Sequence, residues 1–158
     1  MRRILFVCTG NTCRSSMAEG ICKNLLAARG IEDVEVSSAG IYALTGMPAS
    51  SEAVDALAEW GIDLSGHRAR LLTPEMVKEA DLVLTMTSHH KKAVLEMSPE
   101  EKEKVFTLTE YVGFGGDIAD PIGKPFFFYR QYAEEIRRLC QLALNRYLAN
   151  EEKSSGFG

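Results

Sequence analysis

Residues 3–8, RILFVC, run apolar from Ile4 to Val7 with no polar alternation and end on a cysteine that opens the loop CTGNTCRSS. A strand without alternation has to be buried on both faces. That restricts it to a sheet covered by helices on either side. The rest of the chain repeats the pattern. VEVSSAG (34–40), DLVLTM (81–86) and KVFTL (104–108) read as further strands, separated by segments with helical spacing of apolar residues. Strands alternating with helices give an α/β fold built on a parallel sheet. In such sheets ligands gather beyond the carboxyl ends of the strands, where Cys8 stands.

The helical segments carry their own signals. Ser16 and Glu19 have capping-box spacing, and Ala18, Ile21, Cys22, Leu25 and Leu26 form a stripe that Gly30 closes. Residues 50–60 predict a helix with Val54, Leu57 and Ala58 inward. Thr73 and Pro74 predict an N-cap and a first helical position. Residues 88–97 predict another helix, with His89 and His90 in solvent at its start. From about Phe127 a long closing helix turns Tyr132, Ile136, Leu139, Cys140, Ala143, Tyr147 and Leu148 to one side. Residues 1–150 are expected to form one domain and 151–158 a disordered tail.

At 158 residues the chain is long enough for one substantial core. Its net charge of −4, from 18 basic and 22 acidic residues, exerts no pull toward nucleic acid or an anionic membrane. The apolar run after Met1 is too short for a signal peptide or a membrane span. The four cysteines, at 8, 13, 22 and 140, make no disulfide framework, so free thiols in a reducing cytoplasm are expected. Cys22 and Cys140 fall in apolar stripes and read as core residues.

Cys8 and the residues after it need another explanation. A loop between a strand and a helix can turn successive backbone N–H groups inward, and Gly10 relaxes the backbone there. Such a nest beside a helix N-terminus favours an oxyanion. Arg14 adds a planar fork for two phosphate oxygens. The same positive field favours Cys8 as thiolate, the attacking form. A cysteine phosphatase also needs a proton donor, and Asp120 in GGDIADPIGKP fits, stiffened by Pro121; Asp117 is a rival carboxylate nearby. No cysteine or carboxylate constellation surrounds the histidines, so neither a metal nor another cofactor is expected.

The stretch VCTGNTCRSSMAEG resembles the signature of the low-molecular-weight protein-tyrosine-phosphatase family, V-C-x-G-N-x-C-R-S. SSAG (37–40), GIDLSGHRAR (61–70), ADLVLTM (80–86) and DP (120–121) follow in the family's order. The resemblance implies a three-layer sandwich, with a four-stranded parallel sheet between helices. Matched residue by residue, it makes Cys8 the nucleophile, Arg14 the phosphate clamp and Asp120 the general acid. The phosphate loop comprises Thr9, Gly10, Asn11, Thr12, Cys13 and Ser15. Asn11, Ser15, Ser38 and His67 become a supporting hydrogen-bond network, with His67 serving structure more than chemistry. Cys13 either packs beneath the loop or pairs reversibly with Cys8 under peroxide.

Within that family, Thr12 stands where tyrosine-directed members carry a bulky aliphatic residue, and Ile122-Gly123 replaces the aromatics after Asp-Pro. Thr12, VFTLTEYV (105–112) and Asp-Pro-x-Gly resemble the protein-arginine-phosphatase branch. The expected substrate is therefore a phosphorylated protein side chain, phosphoarginine ahead of phosphotyrosine. Ile122, where the branch often has an aromatic residue, is the departure from it. Two other readings are an arsenate reductase, which would need further cysteines after the third strand, and a non-catalytic oxyanion-binding or redox-sensing module. Oligomeric state is not legible in the sequence.

Overall fold

Strand β1, Arg2–Cys8, occupies an inner position of a four-stranded sheet, and its burial on both faces explains its composition. Ile4, Phe6 and Cys8 face one apolar cluster, and Leu5 and Val7 face the other. The remaining strands are β2 (Val34–Gly40), β3 (Leu82–Thr85) and β4 (Val105–Thr107), in the order β2-β1-β3-β4. All three pairings are parallel. This computed structural model describes the backbone of residues 1–155 and the side chains of residues 1–150.

Helix α1 (Arg14–Ala28), α2 (Ser51–Ala58), the short α5 (Leu108–Tyr111) and the long α6 (Phe126–Ser155) cover the face of Phe6. Helices α3 (Pro74–Glu79) and α4 (Ser88–Met97) cover the face of Val7, through Val77 and Val94. The expected three-layer sandwich is the fold. Cys22 and Cys140 are both fully enclosed in the larger cluster, as their stripes require.

Three local expectations change. Ser16 lies inside α1 and donates to the Cys13 carbonyl, so it is not a cap, and Glu19 turns its carboxylate to Ser38 and Lys23. Leu57 is buried and Val54 packs against the core, but Ala53 and Ala56 complete the inward face of α2 and Ala58 is exposed. Helix α6 continues through Ser155, five residues into the expected tail. Residues 156–158 of that tail lie outside the described residues.

The strand order places the site. From β1 the chain crosses to β2 on one side, and later to β3 on the other, so the sheet switches direction between β1 and β3. The loops at the carboxyl ends of those two strands separate there and leave a crevice. Gly40, at the end of β2 opposite Cys8, brings a second backbone against the first loop. A Cβ at Gly40 would collide with the Thr9 carbonyl oxygen and sit 2.9 Å from the Asn11 nitrogen. Only glycine permits that approach.

Candidate active site

The loop from Cys8 to Arg14 is shaped by where its carbonyl groups go. The Cys8 and Thr9 carbonyls accept from Ile41 and Tyr42 N–H, each at 3.0 Å. Asn11 O accepts from His67 Nε2 at 2.7 Å, and Thr12 O from Ser50 N–H at 2.9 Å. Cys13 O accepts from Met17 N–H and the Ser16 hydroxyl. In a trans peptide the C=O and the following N–H point in opposite directions. Five carbonyls held outward therefore turn five amides, those of Thr9, Gly10, Thr12, Cys13 and Arg14, toward the hollow of the loop. The turn that closes this ring passes through Asn11, which has φ +58°. Asparagine tolerates that conformation better than most residues.

Asn11 also secures the ring through its side chain. Its Oδ1 accepts from Arg70 N–H at 2.9 Å, and its Nδ2 donates to Ser15 Oγ and Ser38 Oγ, each at 2.8 Å. Ser15 Oγ, already an acceptor from Asn11, lies 2.8 Å from Cys8 Sγ and has its own proton free for the sulfur. The Asn11 amide donates to that sulfur from 3.3 Å. Ser38 passes its proton on to Glu19 at 2.7 Å. Asn11, Ser15, Ser38 and His67 are thus joined in one hydrogen-bond network, which also takes in Glu19, a residue the motifs do not mark.

Charge converges on the same hollow. Helix α1 begins at Arg14 without a side-chain cap and without an acidic residue in its first turn, so its positive end faces the loop uncompensated. Arg14 is buried and donates through Nη1 to Ile118 O at 2.9 Å. Its Nη2 lies 3.5 Å from Asp120 Oδ2. Asp120 is held by an Asx turn, its Oδ1 accepting from Ile122 N–H across Pro121. Together Cys8, Thr9, Gly10, Asn11, Thr12, Cys13, Arg14, Asp120 and Ile122 line one small pocket. Thr9 to Cys13 all line it, and Ser15 lies behind the sulfur. Asp117, the rival carboxylate, instead accepts from Ser88 N–H at the start of α4.

Cys13 is buried between the pocket and the larger core cluster, and burial, followed by the nearby Cys8 and Asp120, pushes its thiol up to about 12. It is a neutral thiol at physiological pH. Among the described residues no cluster of three His, Cys, Asp or Glu side chains is arranged to hold a metal ion.

The largest departure is His90. It was expected in solvent, as His89 is, yet it is 2% exposed and its Nε2 lies 2.8 Å from Thr9 Oγ1. Thr87, the cap of α4, holds its Nδ1 at 3.0 Å. The adjacent pair His89-His90 has no apolar spacing to mark one ring as buried; only the distance from α4 to the loop decides it.

A ring of inward amides, a buried arginine and a sulfur at the base suit a tetrahedral dianion. The family model for low molecular weight phosphotyrosine protein phosphatases matches residues 3–154. The chain belongs to that family. It is 47% identical to a protein-arginine-phosphatase of Geobacillus stearothermophilus, over 87% of this chain and 90% of that protein. A crystal structure of a low molecular weight protein tyrosine phosphatase from T. tengcongensis is 49% identical. It superposes with a TM-score of 0.89, over 92% of this chain and 99% of its own. A YwlE arginine phosphatase mutant with a phosphorylated active-site serine is 41% identical at a TM-score of 0.86, over 96% and 95%.

His90 has a measurable consequence for stability. Burial, then the charges of Arg14 and His89, hold its pKa down to about 4 from an ordinary 6.5. Between those values the unfolded chain takes up a proton that the folded chain refuses, so stability falls as pH drops from 6.5 toward 4. Taking the protein from pH 7 to 4.5 should cost about 2–3 kcal/mol through this group. In urea denaturation at both pH values, His90→Gln should lose that share of the pH dependence. An unchanged slope in the variant would contradict the assignment.

Proposed function

We propose that the protein is a cysteine-dependent protein phosphatase that works through a phosphocysteine, with phosphoarginine in proteins as its preferred substrate. The observation that carries the reading is the closed loop, with Cys8 Sγ at its base and the Arg14–Asp120 pair beside it. The reaction has two displacements. The Cys8 thiolate attacks phosphorus, and the bond from phosphorus to the leaving nitrogen breaks as Asp120 gives that nitrogen a proton. A water then attacks the phosphocysteine and gives a proton to Asp120, while the S–P bond breaks and returns the thiolate. The loop amides and Arg14 hold the equatorial oxygens through both steps. The Ser15 proton, free for the sulfur, stabilises the returning charge. The relative whose active-site serine is phosphorylated supports a phosphoenzyme on this loop.

Thr12 and the kinship with a protein-arginine-phosphatase support the arginine preference. A hydroxyl at the pocket mouth meets a guanidinium better than an alkyl chain does, and Asp120 can pair with the same cation. Ile122 lines the pocket and is 63% exposed. This apolar side chain favours the second reading, phosphotyrosine, as does the likeness to the tyrosine phosphatase from T. tengcongensis. No helix among the described residues is long and apolar enough to cross a membrane. The activity proposed here acts on phosphorylated proteins, in the reducing cytoplasm that a free-thiol nucleophile suits.

Rates on matched phosphoarginine and phosphotyrosine proteins test the substrate. The parent should favour phosphoarginine, and Thr12→Ile should move the preference toward phosphotyrosine by about tenfold, the worth of one lost hydrogen bond. A parent that prefers phosphotyrosine overturns the choice.

We also propose that Cys13 protects Cys8 from oxidation. Peroxide would convert the Cys8 thiolate to a sulfenic acid, which condenses with the Cys13 thiol to a disulfide and releases water. After peroxide and then reductant, the wild type should recover most of its turnover and Cys13→Ala much less. Equal recovery would remove this role.

A further inference from the structure

The two displacements leave one feature of the pocket unused. Thr9, next to the proposed nucleophile, is half-buried and lines the pocket with Thr12, Asp120 and Ile122. Its hydroxyl oxygen is held from behind by His90, which reaches it from α4, 81 positions along the chain. The imidazole itself cannot swing away. Its Nδ1 is engaged by Thr87 Oγ1, and the same oxygen accepts the His90 backbone N–H at 3.2 Å. The first turn of α4 is in turn fastened to the segment carrying Asp120, because Ser88 N–H donates to Asp117 at 2.8 Å.

A neutral imidazole has one donor and one acceptor nitrogen. If Nε2 carries the proton, it donates to Thr9 Oγ1; if Nδ1 carries it, the Thr9 hydroxyl donates to Nε2. In either tautomer the Thr9 oxygen keeps at least one lone pair that His90 does not use. Protonation of both nitrogens would add a positive charge behind the pocket wall. Burial, Arg14 and His89 oppose that charge, while Asp117 and Asp120 favour it more weakly, and the balance leaves the ring neutral at physiological pH. The wall beside Cys8 therefore presents an oriented acceptor with no cation behind it.

That combination discriminates between leaving groups. A phosphorylated guanidinium is a planar array of N–H donors, and an acceptor fixed in the wall can pair with one of them. A phenyl ring offers no donor there and leaves the oxygen unpaired against an apolar face, which a desolvated site penalises. We propose that His90 determines specificity through Thr9: the pair fixes an uncharged acceptor in the pocket wall that selects a guanidinium-bearing phosphoryl substrate over an aryl one. This rests on the phosphoarginine reading above.

The test compares kcat/KM on matched phosphoarginine and phosphotyrosine peptides, taken as a ratio within each preparation so that the folded fraction cancels. The parent should favour phosphoarginine. Thr9→Val and His90→Leu should each lower the ratio about tenfold, and the double variant should lower it no further, because both remove the same contact. His90→Gln, whose amide can still reach Thr9, should keep most of the preference. Loss of both activities in step, with the ratio unchanged, overturns the proposal and leaves His90 as a brace for the fold. So does a double variant whose ratio falls by the product of the two single effects. If His90→Leu yields no folded protein, Thr9→Val decides, and an unchanged ratio there overturns the proposal. A parent that prefers phosphotyrosine overturns both this proposal and the arginine reading, whereas failure of the variants in a phosphoarginine-selective parent overturns this proposal alone.

Discussion

The outward pull on five carbonyls of the loop is the constraint on which the site depends. An isolated loop of this length would let its peptides rotate, and any inward carbonyl would repel an anion. Here Ile41, Tyr42, Ser50, His67 and the first turn of α1 each take a carbonyl away from the hollow. The donors come from the segment after β2, the N-cap of α2 and the turn that bears His67. The amide ring is therefore a product of the whole tertiary fold. Gly40 is part of the same construction, since only a residue without a side chain lets the end of β2 lie against the loop.

Burying such a concentration of polar groups is costly unless each is paired. The network around Asn11 meets that condition with a consistent direction. Glu19 accepts from Ser38, Ser38 and Ser15 accept from Asn11, and the Ser15 proton remains for the sulfur. Each hydroxyl thus has a defined orientation before any substrate arrives, which is the preorganisation that electrostatic stabilisation of a transition state requires. On the other side of the pocket, α4 links the Asp120 segment to the loop through Ser88 and His90. Acid and nucleophile are proposed to act within one hydrogen-bonded frame, and the two sides of that frame come from different layers of the sandwich.

Much of this was legible in the sequence because each signal was local. The unbroken apolar run of β1 required burial on both faces. Thr73-Pro74 marked the start of α3, and C-x-G-N-x-C-R-S identified the loop and its family. What was not legible depends on distance in space. Ser16 and Glu19 have the spacing of a capping box, yet the helix begins two residues earlier and Glu19 is drawn to Ser38, a partner 19 positions away. Ala58 fits an inward face by period alone, but the short α2 turns Ala53 and Ala56 into the larger core cluster instead. His90 carries no pattern that separates it from His89. Its burial follows from α4 starting at the carboxyl end of β3, directly beside the loop after β1.

The central claim is that the sulfur of Cys8, set in this ring, takes the phosphoryl group from the substrate. Rapid acid quench during turnover of a phosphoprotein, followed by mass spectrometry of the proteolysed enzyme, tests it directly. The account predicts a transient phosphoryl group on the peptide containing Cys8, absent in Cys8→Ala. Steady turnover with the phosphoryl group on another residue, or undiminished turnover by Cys8→Ala, would contradict it.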